Sequence, residues 1–340
     1  MSSRARSTAE ALVEADGRHV RISNPHKIFF PAIGATKLDL ARYYLAVAPS
    51  LMNVARGRPA LLERFPDGAT GKSFFQKRVP RDAPDWLTTT TVSTPNGTRS
   101  KALVVADIAH VLYAVNLGCI GLHLWPFVAS DPDHADELRI DLDPQPGVGF
   151  DEARLAAQWT RTLLAEFSLT GFPKTTGGRG LHVCIRLQRR WTSTEVRAAA
   201  LALGRELERR HPNLVTTQWW KEERGARVFV DFNQNAPHKT LFAAWCARPR
   251  SGGQVSTPLR WDEVDAVDPE DLTIETVPRR LAEGGDPWAR MPSTLQSLDP
   301  LLELAARQRA SGLADAPWPP EYPKQPGEPP RVAPSRARRS

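Results

Sequence analysis

A chain of 340 residues with 41% hydrophobic content can bury a sizeable core, and its length suits one large domain or two fused modules. With 45 Lys+Arg against 38 Asp+Glu, a formal charge of +7 and a sequence pI near 9.6, the average surface attracts polyanions, which favours nucleic acid without requiring it. Cys119, Cys184 and Cys246 lack CxxC spacing, Met1 to Thr8 is polar, and no stretch approaches a membrane span, which argues against structural zinc, a secreted disulfide framework, a signal peptide and a transmembrane helix, and leads us to expect a reducing cytoplasm.

In chain order, residues 1–20 are expected to be a flexible N-terminus. Thr36 is placed to cap one helix whose apolar positions Leu40, Tyr43, Tyr44, Val47, Leu51 and Met52 recur at helical spacing, with Gly57 as its stop. Ala60 to Arg64 and Lys101 to Val105 have strand character, as do Glu137 to Asp143, Leu181 to Leu187 and Arg227 to Phe232. A helix from Asp151 to about Phe167 places Leu155, Trp159 and Leu163 on one face. Another runs from Thr192, with Glu195 completing a capping box, to about His211, where Pro212 ends it. The alternation of helices and strands makes the class α+β (mixed α/β). Pro317 to Ser340 holds 8 prolines in 24 residues and ends in Arg336, Arg338 and Arg339, so 313–340 reads as a disordered basic tail.

Three of these segments carry chemistry. In Glu137 to Asp143, Leu138, Ile140 and Leu142 alternate with Arg139, Asp141 and Asp143, the period of a strand with one buried face. Asp141 and Asp143 then point the same way, about 7 Å apart. Two such carboxylates can hold divalent cations for phosphoryl transfer, although a solvated strand end or an Asx-turn fits most isolated DxD pairs. Thr175 to Val183 (TTGGRGLHV) runs from a glycine-rich loop into a strand. Gly177, Gly178 and Gly180 permit close backbone approach, while Thr176, Arg179 and His182 supply donors suited to a triphosphate. The alternative is a tight turn before a core strand with an incidental histidine. Arg227 to Phe232 offers Asp231 before Asn233-Gln234-Asn235, where an aspartate can equally cap backbone amides.

These motifs, in this order, resemble the polymerase domain of bacterial DNA ligase D, a branch of the archaeo-eukaryotic primase superfamily. The resemblance runs from about Ile22 to Leu304 and also rests on NPHKIFFP (24–31), RFPDG (64–68), FFQK (74–77), Leu122-His123, KTTGGRGLH (174–182) and VDFNQN (230–235). It implies a primase-polymerase core of two packed sheet-containing modules with surrounding helices, spanning 21–312, with a DNA-end-binding part at about 21–135 and a catalytic part at about 136–312. It implies that Asp141, Asp143 and Asp231 bind two Mn2+ or Mg2+ ions. The nucleotide triphosphate, NTP or dNTP, would be held by Thr176, Gly178, Arg179 and His182, with Arg224 and Arg248 as further phosphate ligands. Lys27 and Lys37 would receive a downstream 5′-phosphate, and Phe74, Phe75 and His123 would meet template DNA. Thr176 stands where many relatives have serine and Arg179 where many have lysine; both keep the donor.

Lys37 falls in the first turn of the helix capped by Thr36. An ammonium group is unfavourable at the positive end of a helix, whereas free amides and two lysines there suit an anion. The functional expectation is a stand-alone, template-dependent nucleotidyltransferase that fills gaps and extends broken DNA ends in non-homologous end joining. It would prefer ribonucleotides, partner with Ku and a DNA ligase, and associate with the nucleoid. A de novo primase, a DNA-end-bridging scaffold without chemistry and a metal nuclease are the competing readings. The three carboxylates argue against a scaffold, and the triphosphate-type loop argues against a nuclease.

Overall fold

The computed structural model of the chain describes residues 9–333 and 335. It opens with a hairpin, β1 (Glu10–Ala15) and β2 (Arg18–Ser23), which turns through Asp16 and Gly17, both at positive φ. Asp-Gly suits that tight turn, and the hairpin packs on a later helix. Residues 10–20 are therefore paired rather than flexible, while 1–8 lie outside the described residues. The short strands β3 (Ile28–Phe30) and β4 (Ala35–Thr36) lead to α1 (Lys37–Ala46) and α2 (Ala48–Ala55). Thr36 caps α1 in a capping box with Asp39. The expected single helix over 36–57 is divided at Val47, because Pro49 has no N–H to continue the ladder and its ring crowds the preceding turn.

The first module is a sheet in the order β15-β9-β5-β8-β7, with β6 also on β5. Its strands are β5 (Pro59–Arg64), β6 (Phe74–Gln76), β7 (Thr89–Ser93), β8 (Arg99–Val104) and, after α3 (Ile108–Asn116), β9 (Cys119–Leu124). The second module follows as β10 (Ala135–Pro144), α4 (Phe150–Glu166), β11 (Phe172–Thr175), β12 (Leu181–Trp191), α5 (Ser193–Arg210), β13 (Val215–Thr216), α6 (Lys221–Arg224) and β14 (Val228–Val230). Its sheet runs β11-β12-β10-β14-β13, antiparallel except between β13 and β14. The chain then returns β15 (Leu241–Phe242) to β9, adds the pair β16 (Cys246–Ala247) and β17 (Val255–Ser256), and closes with α7 (Thr276–Gly284) and α8 (Asp299–Ala310). The mixed class and the two packed sheets expected from the sequence are present, sharing one continuous core.

β10 is central and buried along most of its length, not on one face only. Helices α4 and α5 pack on its sheet, and its polar face meets the first module. Arg139 Nη2 donates to the Leu124 carbonyl of β9 at 3.1 Å, and Arg58 of the first module pairs with Asp136 at 2.7 Å. Burial raises the Glu137 carboxyl, but Arg139 and Arg58 outweigh it and hold the group down at about 2. Charged residues survive there because each is paired. On α4 the buried face is Ala153, Ala156, Ala157, Thr160, Leu163 and Leu164; Leu155, expected inside, is exposed, since two successive steps of four drift off a 3.6-residue stripe.

The C-terminal segment departs furthest from expectation. Residues 313–331 are not a disordered tail: Trp318, Tyr322 and Glu328 are buried, and Trp318 and Tyr322 cluster with Ala236. Two aromatic anchors and the paired Glu328 suffice to order a proline-rich strap whose backbone has little entropy to lose. Arg336, Arg338 and Arg339 lie outside the described residues.

Candidate active site

The alternation along β10 puts Asp141 and Asp143 on one side of the strand, and antiparallel pairing sets Asp141 opposite His182 of β12. Across the other edge, the Asp231 amide donates to the Asp141 carbonyl at 2.9 Å, which brings the third aspartate alongside. Asp231 does not sit on a strand face as expected. It lies one residue beyond β14 and caps the 3₁₀ turn Phe232–Asn235, its carboxylate accepting from the Asn233 amide at 3.1 Å and from Gln234 Nε2 at 3.0 Å. Asp143 accepts from Gln145 Nε2 at 2.9 Å.

Asp141 is also more enclosed than a solvated strand face implies. Burial lifts its carboxyl to about 6, against the pull of Lys174 and Arg248. Asp231 is likewise lifted to about 6, by burial and then by Asp141, and Asp143 is raised by the same two causes. The three groups are therefore electrostatically coupled. Among the described residues no three His, Cys, Asp or Glu side chains are already gathered into a ligand cage, because these aspartates are turned to Gln145, Gln234 and His182. Chemically the set fits Mg2+ or Mn2+: it supplies only hard carboxylate oxygens, and a cation would relieve the repulsion and burial that raise all three.

The glycine loop joins this site from β11 and β12. Gly177 has φ +70°, and a Cβ on Gly180 would stand 2.7 Å from the Leu142 carbonyl, so the loop lies directly against β10. Thr176 Oγ1 accepts from the amides of Gly178 and Gly180, leaving its proton as the free donor. Arg179 is exposed and close enough to pull on Asp143. His182 is not a free phosphate donor: its Nε2 meets Asp141 Oδ1 at 3.1 Å, and its buried Nδ1 has no hydrogen-bond partner among the described residues. Burial, with Lys174 and Arg248 nearby, keeps the ring neutral. Arg224 stacks on Phe229 and donates to the carbonyls of Gln218 and Trp219, so most of its fork is spent on the protein. Arg248 packs beside Gly177 and over Phe242 at 3.3 Å.

Lys174, within the KTTGGRGLH motif but given no role by it, also belongs to the site. It is fully buried beside this cluster, opposite His182 in register, with its ammonium group 2.6 Å from Ser256 Oγ and lowered to about 8 mainly by burial. A lysine one residue from the end of the strand that leads into the glycine loop is the available signal. Phe242 was also missed, being on a two-residue strand with no sequence period.

Phe74 and Phe75 are exposed, as template-stacking residues need to be. His123 is not: it is enclosed between Phe75 and Phe242, with Nε2 3.2 Å from Glu63 Oε2, so it joins the exposed aromatics to the Arg248 side of the loop rather than facing solvent. Lys27 is partly exposed and pairs with Asp67 at 2.7 Å. Lys37 is buried, its ammonium group donating to the carbonyls of Ser23 at 2.9 Å and Asn116 at 2.6 Å. The first-turn amides expected to be free are taken: Lys37 N donates to Lys27 O, Leu38 N to Pro25 O and Asp39 N to Thr36 Oγ1. What remains is positive potential, since burial and then Lys27, Arg64 and Arg21 lower Lys37 to about 8.

Residues 36–288 match the family model for the LigD primase-polymerase domain. The chain belongs to that family. It is 32% identical over 305 residues to the multifunctional non-homologous end joining DNA repair protein LigD of Mycobacterium tuberculosis, covering 87% of this chain and 40% of the relative. With LigD of Pseudomonas aeruginosa it shares 33% identity over 282 residues, 82% of this chain and 34% of the relative. The chain thus spans about two-fifths or less of these relatives' length. Its fold matches the polymerase domain from Mycobacterium tuberculosis ligase D, solved in complex with DNA, with a TM-score of 0.76, 31% identity and coverage of 81% of this chain and 98% of that one. Asp141, Asp143, Asp231 and the glycine loop of this LigD-family member fall inside the matched residues, whereas Lys27 precedes them and the strap follows them.

Proposed function

We propose that the chain is a template-directed nucleotidyltransferase that fills gaps and extends broken DNA ends. The observation that carries this reading is the meeting of Asp141, Asp143 and Asp231 with the Thr176 to His182 loop on adjoining strands of a LigD-type fold. Bound Mg2+ or Mn2+ would neutralise developing charge on the transferring phosphoryl group. The three aspartates would hold the ions, with Asp141 central because it borders both Asp143 and Asp231. Loop amides, Thr176 and Arg179 would orient the triphosphate, and Arg248 would add positive charge on the leaving side. His182, whose Nε2 lies beside Asp141 Oδ1, would steady the Asp141 carboxylate. The basic net charge and the exposed Phe74 and Phe75 suit unpaired template bases.

Primer extension on gapped duplexes, run with each nucleotide type, each metal and both 5′ end chemistries, tests the reading. Extension is expected with ribonucleotides favoured over deoxynucleotides; equal or better use of deoxynucleotides at matched concentration overturns the sugar preference. No extension on any primed template overturns the enzyme assignment. Ku and a DNA ligase are the partners expected if the activity serves end joining.

Because His182 would act through Asp141, His182→Ala should weaken Mn2+ binding, slow nucleotide addition and raise the concentration of metal-bound nucleotide needed for half-maximal extension, with DNA affinity nearly unchanged. Normal nucleotide use would return His182 to the role of a core residue. For the 5′-phosphate, Lys27→Ala is the informative variant: it should erase the preference for a phosphorylated downstream end while open-template extension persists. Lys37→Ala instead orphans the carbonyls of Ser23 and Asn116 and should cost about 1–3 kcal/mol of stability, read as a lowered Tm. A Lys27→Ala protein that still distinguishes the two ends would place the pocket elsewhere.

A further inference from the structure

We propose that Arg197 and the C-terminal strap, residues 313–331, position the Asp231 turn and so set how tightly the aspartates hold divalent cations. The proposal rests on the cation reading given above. Arg197 projects from α5 and is 1% exposed. Its Nε donates to Asn233 Oδ1 at 2.6 Å, its Nη1 to Asp315 Oδ1 at 2.9 Å and its Nη2 to the Ala316 carbonyl at 2.9 Å. The guanidinium also lies over Trp318, 4.2 Å from the ring centroid, and over Phe232 at 5.2 Å. One side chain thus ties the strap to the turn that begins at Asp231.

Asn233 carries the connection the last step. Its amide donates to Asp231 Oδ1, its side-chain oxygen receives Arg197, and its Nδ2 reaches the Pro317 carbonyl at 3.2 Å. The turn's other side is fastened to β10 by Asn235, whose side chain exchanges hydrogen bonds with the backbone of Arg139 at 2.9 and 2.7 Å. Further along, the Tyr322 hydroxyl donates to the Pro237 carbonyl, and Lys239 pairs with Glu321. The strap itself is fixed by Glu328, which accepts from the Trp318 amide and pairs with Arg331. Asp231 is therefore oriented by a turn that Asn235 fastens to β10 and that Asn233 fastens to Arg197 and the strap, and the strap lies beyond the family-matched 36–288. Groups that orient a ligand through a hydrogen bond commonly change metal affinity by about tenfold or more when lost.

The test measures Mn2+ binding by electron paramagnetic resonance of the free ion, on the full chain, for the unaltered protein, Arg197→Lys, Trp318→Ala and Asp231→Asn, with thermal unfolding as a check on folding. Arg197→Lys keeps the charge and loses the fork; Trp318→Ala loosens the strap from outside the site. Both are expected to weaken Mn2+ binding by roughly tenfold and to raise the Mn2+ concentration needed for half-maximal extension by a similar factor, with a smaller effect on the rate at saturating Mn2+. Should Arg197→Lys fail to fold, Trp318→Ala decides alone. Unchanged Mn2+ affinity in a folded Trp318→Ala protein overturns the proposal. Unchanged affinity in Asp231→Asn overturns the cation reading itself, a separate outcome.

Discussion

Asp141→Asn or Asp231→Asn is expected to lower nucleotide addition by at least about 10²–10³-fold, while DNA affinity stays the same or rises slightly. Each change removes a negative charge from a site that faces a polyanion, so DNA binding has nothing to lose electrostatically. Both should fold. An asparagine at position 231 still caps the turn, and one at 141 still offers an oxygen to His182. Lost activity would therefore report the missing ligand and not a collapsed strand. Substantial primer extension by either variant would sink the two-cation account.

The second large effect concerns pH. Cation affinity should climb by about tenfold per pH unit for each proton displaced below pH 6, then level off above about 7, because Asp141 and Asp231 are both lifted to about 6 and a cation needs them ionised. In chelator the same shifts act on stability with the opposite sense. A carboxyl whose folded value exceeds its unfolded one contributes most below the unfolded value, near 4, and that contribution is lost as pH rises through about 6. The Tm in chelator should accordingly fall between about pH 4 and pH 6, level off above that, recover on adding Mn2+, and depend less on pH in Asp141→Asn. A Tm slope in that window that is the same for Asp141→Asn as for the unaltered protein would contradict the assignment of these shifts.

Much of the fold could be read from period and punctuation. The alternation of Leu138, Ile140 and Leu142 with Arg139, Asp141 and Asp143 located β10, and Thr192 with Glu195 located the start of α5 to the residue. What period alone could not convey was what covers a strand's polar face. Arg139 looked solvent-facing, yet it is buried because Glu137 and the Leu124 carbonyl receive it. Lys37 looked like a ligand for anions by its place on a helix; its ammonium group instead serves carbonyls 14 and 79 residues away, pairings that only tertiary structure supplies. The strap failed the compositional test for order because proline dominates it, while Trp318 and Tyr322 carry the packing. The glycine loop was legible, since Gly177 and Gly180 stand where a side chain would strain or collide, but the turn of His182 toward Asp141 was not.

The central claim is that Asp141, Asp143 and Asp231 hold the cations that act on a triphosphate lying against the Thr176 to His182 loop. Crystals grown with Mn2+ and a non-hydrolysable nucleoside triphosphate, measured at the manganese absorption edge, test it most directly. The account predicts anomalous peaks bonded to carboxylate oxygens of all three aspartates, with the triphosphate on the loop amides, Thr176 and Arg179. Manganese that binds at saturating concentration away from these carboxylates, or a triphosphate seated elsewhere, would contradict it.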